Sequence, residues 1–174
     1  MLATIQAAAC IGMDVFPVDV EVDISRGMRI FSIVGLPANS VSESRTRVKS
    51  ALLNSGYGFP KGSVTVNLAP AHIRKDGTGF DLAIAVGLLA AQRKLKHPDL
   101  QDAIFLGELS LDGRIRPIHG VLPIALQANR LGFERLFVAQ ENANEAAYVP
   151  NLATFSVEHI GQLIDHLAGL STLD

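Results

Sequence analysis

The chain has 174 residues, of which 48% are hydrophobic, 6% aromatic and 18% charged, with a formal net charge of −2 and no Trp. A chain of this length buries about 70% of the surface its unfolded form exposes, and with so few aromatics its core must come from Ala, Val, Leu and Ile, which favours packed α/β layers. The small net charge excludes a global pull toward nucleic acid or anionic membrane, so any such contact has to come from a local basic patch.

The stretch from Met1 to Cys10 is apolar but lacks the basic leader of a signal peptide, and it reads as a strand. Its hairpin partner is residues 18–24, where apolar and acidic residues alternate as in a strand with one wet face. Ser25-Arg26-Gly27 supplies a turn before a second run at 29–34, so the pattern predicts an antiparallel meander. Leu36-Pro37 ends it. Asn39 or Ser40 is placed to cap a helix over 41–53, with Gly56 just past its end and Val41, Val48 and Leu52 as its buried stripe.

After a turn at 59–62, Val64, Val66 and Leu68 share one side of a strand that stops at Pro70. A glycine-containing loop then opens a helix over 80–92 that is apolar on almost every side, the pattern of a helix buried between layers. Residues 103–106 read as a short buried strand and Asp112-Gly113 as a hairpin turn. Pro123 suits the first turn of a helix running to Leu131, with Val121, Ile124, Ala125, Ala128 and Leu131 as its core face. A strand at 135–139, a helix at 141–147, a strand at 153–156 and a helix at 157–167 complete one α/β unit over 1–174 with a mixed sheet. The longest apolar run, 82–91, falls well short of the roughly 20 residues needed to cross a bilayer, so no membrane contact is expected. Cys10 stands alone and no Cys/His spacing suits zinc, so neither a disulfide nor a metal is expected and a cytoplasmic setting fits.

Two segments bear on chemistry: Arg74-Lys75-Asp76-Gly77-Thr78-Gly79-Phe80-Asp81, and Gly107-Glu108 through Pro117-Ile118-His119-Gly120. They resemble the two active-site strand-to-helix turns of the Lon protease domain, in which a Lys-Asp-Gly turn leads into a nucleophilic serine and a Pro-Ile-x-Gly turn into a lysine base. The resemblance puts Gly79 at the serine position and Leu122 at the lysine position. Glycine carries no nucleophile and leucine takes no proton, so no catalytic residue is expected. Thr78 with His119 is the pair left for a residual Ser/Thr-type peptidase, against the plainer role of Thr78 as a helix-capping hydroxyl. Arg116 stays protonated and cannot be a base, and Lys75 could be one only if burial lowered its pKa.

The Asp76-Gly77-Thr78-Gly79 turn ahead of a helix also has the form of an anion site, flanked by Arg74 and Lys75. Asp81 speaks against it, because a carboxylate in the first helical turn would take the same N–H donors and repel a phosphate. No Gly-x-x-x-x-Gly-Lys-Ser/Thr phosphate loop occurs, so the chain is not expected to bind ATP itself. A basic set remains: Arg45, Arg47 and Lys49 on the first helix, and Arg74, Lys75, Arg114 and Arg116 on turns. Arg45 and Lys49 share a face while Glu43 pairs with Arg47. The set is either a solvated surface or a groove contacting a nucleic-acid backbone or a neighbouring subunit.

Residues 5–167 further resemble the N-terminal domain of the ComM/YifB family of magnesium-chelatase-like AAA+ proteins. The resemblance is carried by Phe31-Ser32-Ile33-Val34-Gly35-Leu36-Pro37, Glu43-Ser44-Arg45-Thr46-Arg47-Val48-Lys49-Ser50-Ala51, Asn54-Ser55-Gly56-Tyr57-Gly58-Phe59-Pro60, Val64-Thr65-Val66-Asn67-Leu68-Ala69-Pro70-Ala71 and Gly107-Glu108-Leu109-Ser110-Leu111-Asp112-Gly113, with His72 departing from an expected acidic residue. It implies a ribosomal protein S5 domain 2-like, Lon protease-like fold. It also implies a longer protein whose AAA+ module, absent from this chain, binds ATP and Mg, and which works as a hexameric helicase in DNA branch migration during natural transformation. The implied partners are branched or single-stranded DNA and further copies of the same chain. On that reading the chain is a non-proteolytic accessory domain for oligomer assembly and DNA guidance; the rivals are the residual peptidase and a purely structural oligomerisation tier.

Overall fold

The structure, a computed structural model, describes residues 1–95 and 100–174. The N-terminal hairpin forms as expected: β1 (Leu2–Ile11) and β2 (Asp14–Ser25) pair antiparallel from Leu2 opposite Asp23 to Ile11 opposite Asp14. The alternation in β2 becomes a two-faced strand, with Val18, Val20 and Val22 sealed from solvent and Asp19 and Asp23 in water.

The expected meander does not form. β3 (Phe31–Val34) does not fold back on β2; it pairs parallel with β4 (Ser63–Ala69), which lies between them and is antiparallel to β2. The segment after Ser25 is a wide connection and not a tight hairpin, because Ser63 takes the position opposite Ser25 and the Val64 N–H donates to the Ile30 carbonyl at 2.7 Å. Alternating hydrophobicity identifies a strand without naming its neighbour. β5 (Ala103–Phe105), β8 (Arg135–Ala139) and β9 (Ala153–Val157) extend the other side in parallel, giving a seven-stranded mixed sheet in the order β3-β4-β2-β1-β5-β8-β9. β6 (Glu108–Leu109) and β7 (Ile115–Arg116) form a separate hairpin around the Asp112-Gly113 turn.

The first helix is two pieces, α1 (Asn39–Ser42) and α2 (Ser44–Asn54), broken at Glu43. Neither Asn39 nor Ser40 caps it. Ala38 holds the cap position, its N–H bonded to the Lys75 carbonyl at 2.8 Å, and the Ser40 hydroxyl is drawn away to Asp76 at 2.5 Å. α3 (Asp81–Ala91) is buried along its whole length, and Gly87 lets it approach the sheet, since a Cβ there would lie 2.6 Å from a Val22 methyl. In α4 (Val121–Arg130), Val121, Ile124, Ala125 and Ala128 face the core, but Leu131 lies past the last turn and is 49% exposed. α5 (Gln140–Ala146) follows β8 directly. α6 (Ile160–Leu167) starts later than expected, because β9 runs through Val157 and the His159 ring, accepting from the Gly161 N–H at 3.0 Å, caps the helix.

The sheet separates two cores. On β1, Ile5, Ala7 and Ala9 join α2, α3 and α6 on one side, while Ala8 joins α4 and α5 on the other; on β8, Phe137 and Ala139 divide from Leu136 and Val138 in the same way. The period-two geometry of a strand makes this division unavoidable for strands covered on both faces. Among the described residues no helix is long and apolar enough to cross a membrane.

Candidate functional site

The first turn is built on a buried lysine. Lys75 is 0% exposed, and its Nζ donates to the carbonyl of Gly35 at 2.9 Å and to that of Pro70. Its backbone is held as tightly, donating to the Leu36 carbonyl at 3.2 Å and accepting from the Ala38 N–H. One residue therefore fastens the 35–38 loop to the end of β4. Gly35 is obligatory in that loop, because its φ of 96° is paired with a hypothetical Cβ only 2.2 Å from the Leu68 carbonyl oxygen. Burial lowers the Lys75 pKa. That shift does not make it a base, since its nitrogen is committed to two carbonyls inside the protein. Nor does Lys75 reach the surface, so it leaves the set of candidate DNA contacts.

Asp81, six residues on, organises the second half. Its carboxylate is fully buried and accepts from Arg47 Nε at 2.6 Å, Arg47 Nη2 at 3.1 Å, the Ser44 hydroxyl and the Leu109 N–H at 3.0 Å. Burial pushes its pKa up, and the hydrogen bonds from Arg47, Ser44 and Leu109 pull it back. The same contact to Asp81 raises Arg47 against the cost of its own burial. The sequence suggested that Asp81 would occupy the N–H donors of its own helix. Instead it turns into the core and joins α2, α3 and β6, a tertiary arrangement that no local spacing encodes. Arg47 also donates to the Ser40 carbonyl at 3.1 Å and the Ser44 hydroxyl at 3.2 Å and meets Glu43 at 3.7 Å, and is thereby a structural residue and not a surface one.

Gly79, where the Lon resemblance would put the serine, is covered from the second turn. A Cβ placed on Gly79 would lie 2.9 Å from the δ-methyl of Ile118. Ile118 is in turn held by Asn142 of α5, whose side chain accepts from its N–H and donates to its carbonyl, both at 2.9 Å. Asn142 is almost fully buried and was not singled out by sequence; the only hint was an Asn in a short helix next to a buried strand. Leu122 lies on α4 at 39% exposure, with no amine to offer. Thr78 does not cap α3, whose cap position is Phe80 without any side-chain bond; the Thr78 carbonyl accepts from the Asp81 N–H at 3.4 Å. His119 is solvent-exposed. Among the described residues no group of His, Cys, Asp and Glu converges to hold a metal.

The remaining cations are superficial. Arg74 lies with Asp76 and Ser40 around a recess of about 370 Å³, and Asp76 is held below the usual carboxylate range chiefly by the Ser40 hydroxyl. Arg114 and Arg116 line a broader cleft of about 900 Å³ with Asp112, Glu141 and Glu158. Arg114 contacts Asp112 at 3.5 Å, and Arg116 donates to the Ser110 hydroxyl at 2.6 Å. Arg45 and Lys49 lie along the outer face of α2, Arg45 donating to the Ser42 carbonyl at 3.0 Å and Lys49 over the Phe59 ring at 5.7 Å.

Residues 20–142 match the family described as subunit ChlI of Mg-chelatase. The chain is 39% identical over 173 residues to the YifB protein of Salmonella typhimurium, and 40% identical over 172 residues to the competence protein ComM of Haemophilus influenzae; each alignment covers 99% of this chain and 34% of the relative. It belongs to the ComM/YifB group of the Mg-chelatase-like family. A Lon protease of Rhizobium meliloti matches at 27% over 135 residues, which is 73% of this chain and 16% of that protein. The ComM/YifB chain described here thus spans about a third of the length of its curated relatives. Where the Lon resemblance puts the acting residues of the two turns, this chain has a glycine under an isoleucine methyl and a leucine.

Proposed function

We propose that this chain is a non-proteolytic, Lon-like accessory domain of a cytoplasmic ComM-type AAA+ motor, acting through contacts with DNA and with further copies of itself. The observation that carries this reading is the state of the two turns: Lys75 and Asp81 hold the framework rigidly, while positions 79 and 122 offer neither nucleophile nor base. A framework kept at the cost of a buried lysine and a buried aspartate, with the reacting groups gone, suits a domain used for its shape. ATP and Mg belong, on this reading, to a module outside the chain, and the assembly would be hexameric and serve branch migration of DNA taken up in transformation.

Arg45, Lys49, Arg74, Arg114 and Arg116 are the exposed members of the basic set and the surface available to a polyanion. The chain is expected to bind labelled single-stranded, duplex or branched DNA with an affinity that falls steeply between 50 and 200 mM salt, as release of counterions from phosphate contacts requires. It is expected to leave casein and ATP intact under the same conditions. DNA binding that is absent at low salt would favour the purely structural oligomerisation tier.

A further inference from the structure

Between β3, α2 and the loop before β4 lies a groove of about 290 Å³. Phe31, Phe59 and Leu53 give it an apolar wall, and Arg29, Lys49 and Lys61 stand on it. The two phenyl rings are 5.3 Å apart at 42°, and both are partly open to solvent. Leu53 is 50% exposed and neighbouring Ile30 49%. One turn along α2 from Lys49, Arg45 reaches the Phe31 carbonyl at 3.4 Å and adds a further positive charge to the rim. Among the described residues no carboxylate lines the groove, and none of these four cations is in an ion pair.

The contrast with the other basic surfaces decides what such a groove suits. Arg114 and Arg116 share their cleft with Asp112, Glu141 and Glu158, and Arg74 stands beside Asp76, so a polyanion there meets a field of both signs. At the β3–α2 groove it meets one sign only, on a chain whose net charge is −2. Exposed apolar and aromatic surface ringed by unpaired cations is the combination that takes unstacked bases and their flanking phosphates together. A duplex keeps its bases stacked inside and would use the rim alone.

We propose that this groove binds single-stranded nucleic acid, with bases against Phe59 and Leu53 and phosphates on Arg29, Lys49 and Lys61. The proposal rests on the DNA-contact reading above and gives that contact a place and a strand preference. It is tested by fluorescence anisotropy of the chain with a labelled oligothymidine of about 20 nucleotides and a hairpin duplex of matching charge, with polyglutamate as competitor. The variants are Lys49→Glu combined with Lys61→Glu, Leu53→Ser, and Arg114→Ala combined with Arg116→Ala, with circular dichroism to establish that each is folded.

The charge reversal is expected to weaken oligothymidine binding at least about tenfold and to reduce the salt slope by about two. Leu53→Ser is expected to weaken the single strand more than the duplex, and the Arg114/Arg116 pair to weaken single strand and duplex alike and by less than the charge reversal does. DNA binding that survives the reversal and is lost with Arg114 and Arg116 would overturn the groove while leaving the DNA-contact reading intact. Duplex bound as tightly as the single strand, or polyglutamate displacing it equally well, would overturn the proposal in favour of a rim-only contact or an acidic protein partner. No binding of any DNA at low salt would overturn both readings.

Discussion

Asp81→Ala is expected to cost about 3–5 kcal/mol of unfolding free energy, read from urea denaturation at neutral pH. The carboxylate is fully buried and accepts from Arg47, Ser44 and the Leu109 N–H, so truncation takes an acceptor from three residues at once, one of them a guanidinium only 17% exposed that keeps the Ser40 carbonyl but loses its anionic partner. Removing one partner of a buried charged pair is worse than removing both, because the survivor keeps its desolvation cost without compensation. Against a total stability of about 5–15 kcal/mol for a domain, the variant would be close to unfolding at ambient temperature. Asp81→Asn should lose less, since Ser44 and Leu109 are bonded through different carboxylate oxygens and an amide can accept from the Leu109 N–H with its oxygen while its NH2 donates to the Ser44 hydroxyl, and the loss from wild type to Asp81→Asn contains the charge of the pair. A loss below about 1 kcal/mol for Asp81→Ala would mean that α2, α3 and β6 are not joined through this residue.

Lys75→Met is expected to cost about 2 kcal/mol at neutral pH and to change how stability depends on alkalinity. Methionine matches the length of the stem but takes the Nζ donor from the Gly35 carbonyl and leaves the Pro70 carbonyl only the long bond from the Ile73 N–H at 3.4 Å. Each buried carbonyl so stranded costs about 1–3 kcal/mol, and part of this is returned because an ammonium no longer has to be buried. The sign of the pH effect follows from burial, which puts the folded-state pKa below the ordinary lysine value of 10.5. Between those two values the unfolded chain binds more protons than the folded one, so the wild type gains stability as pH rises through that window. Below the folded-state value the ammonium is charged in both states and the gain is gone. The difference between wild type and Lys75→Met should therefore widen as pH is raised toward 10.5, and a difference independent of pH would show that Lys75 is not titrating from a buried site.

What was legible in the sequence follows from how local each signal is. The hairpin of β1 and β2, the fully buried α3 and the β6–β7 turn could be read because alternation, a continuous apolar run and Asp-Gly are local patterns. The place of β3 could not be read, since parallel pairing with β4 depends on a segment some thirty residues away inserting beside β2. The site divides the same way. That Gly79 and Leu122 stand where the Lon resemblance would put serine and lysine is visible in the motif itself, but Lys75, Arg47 and Asn142 were not readable as internal ties, because a lysine, an arginine and an asparagine are ordinarily surface residues and their burial here is decided by tertiary partners. The β3–α2 groove combines residues from three separate segments, so its single-signed rim emerges only once β3 lies beside β4.

Whether the Lon-like pair of turns is used without Lon chemistry is decided by mass spectrometry of the intact chain after exposure to a serine- and threonine-directed acylating or phosphonylating probe. The unmodified mass is expected throughout, with no cleavage of an unfolded substrate in parallel. A stoichiometric adduct mapping to Thr78 and abolished by Thr78→Ala would contradict it and restore a working nucleophile to the cleft.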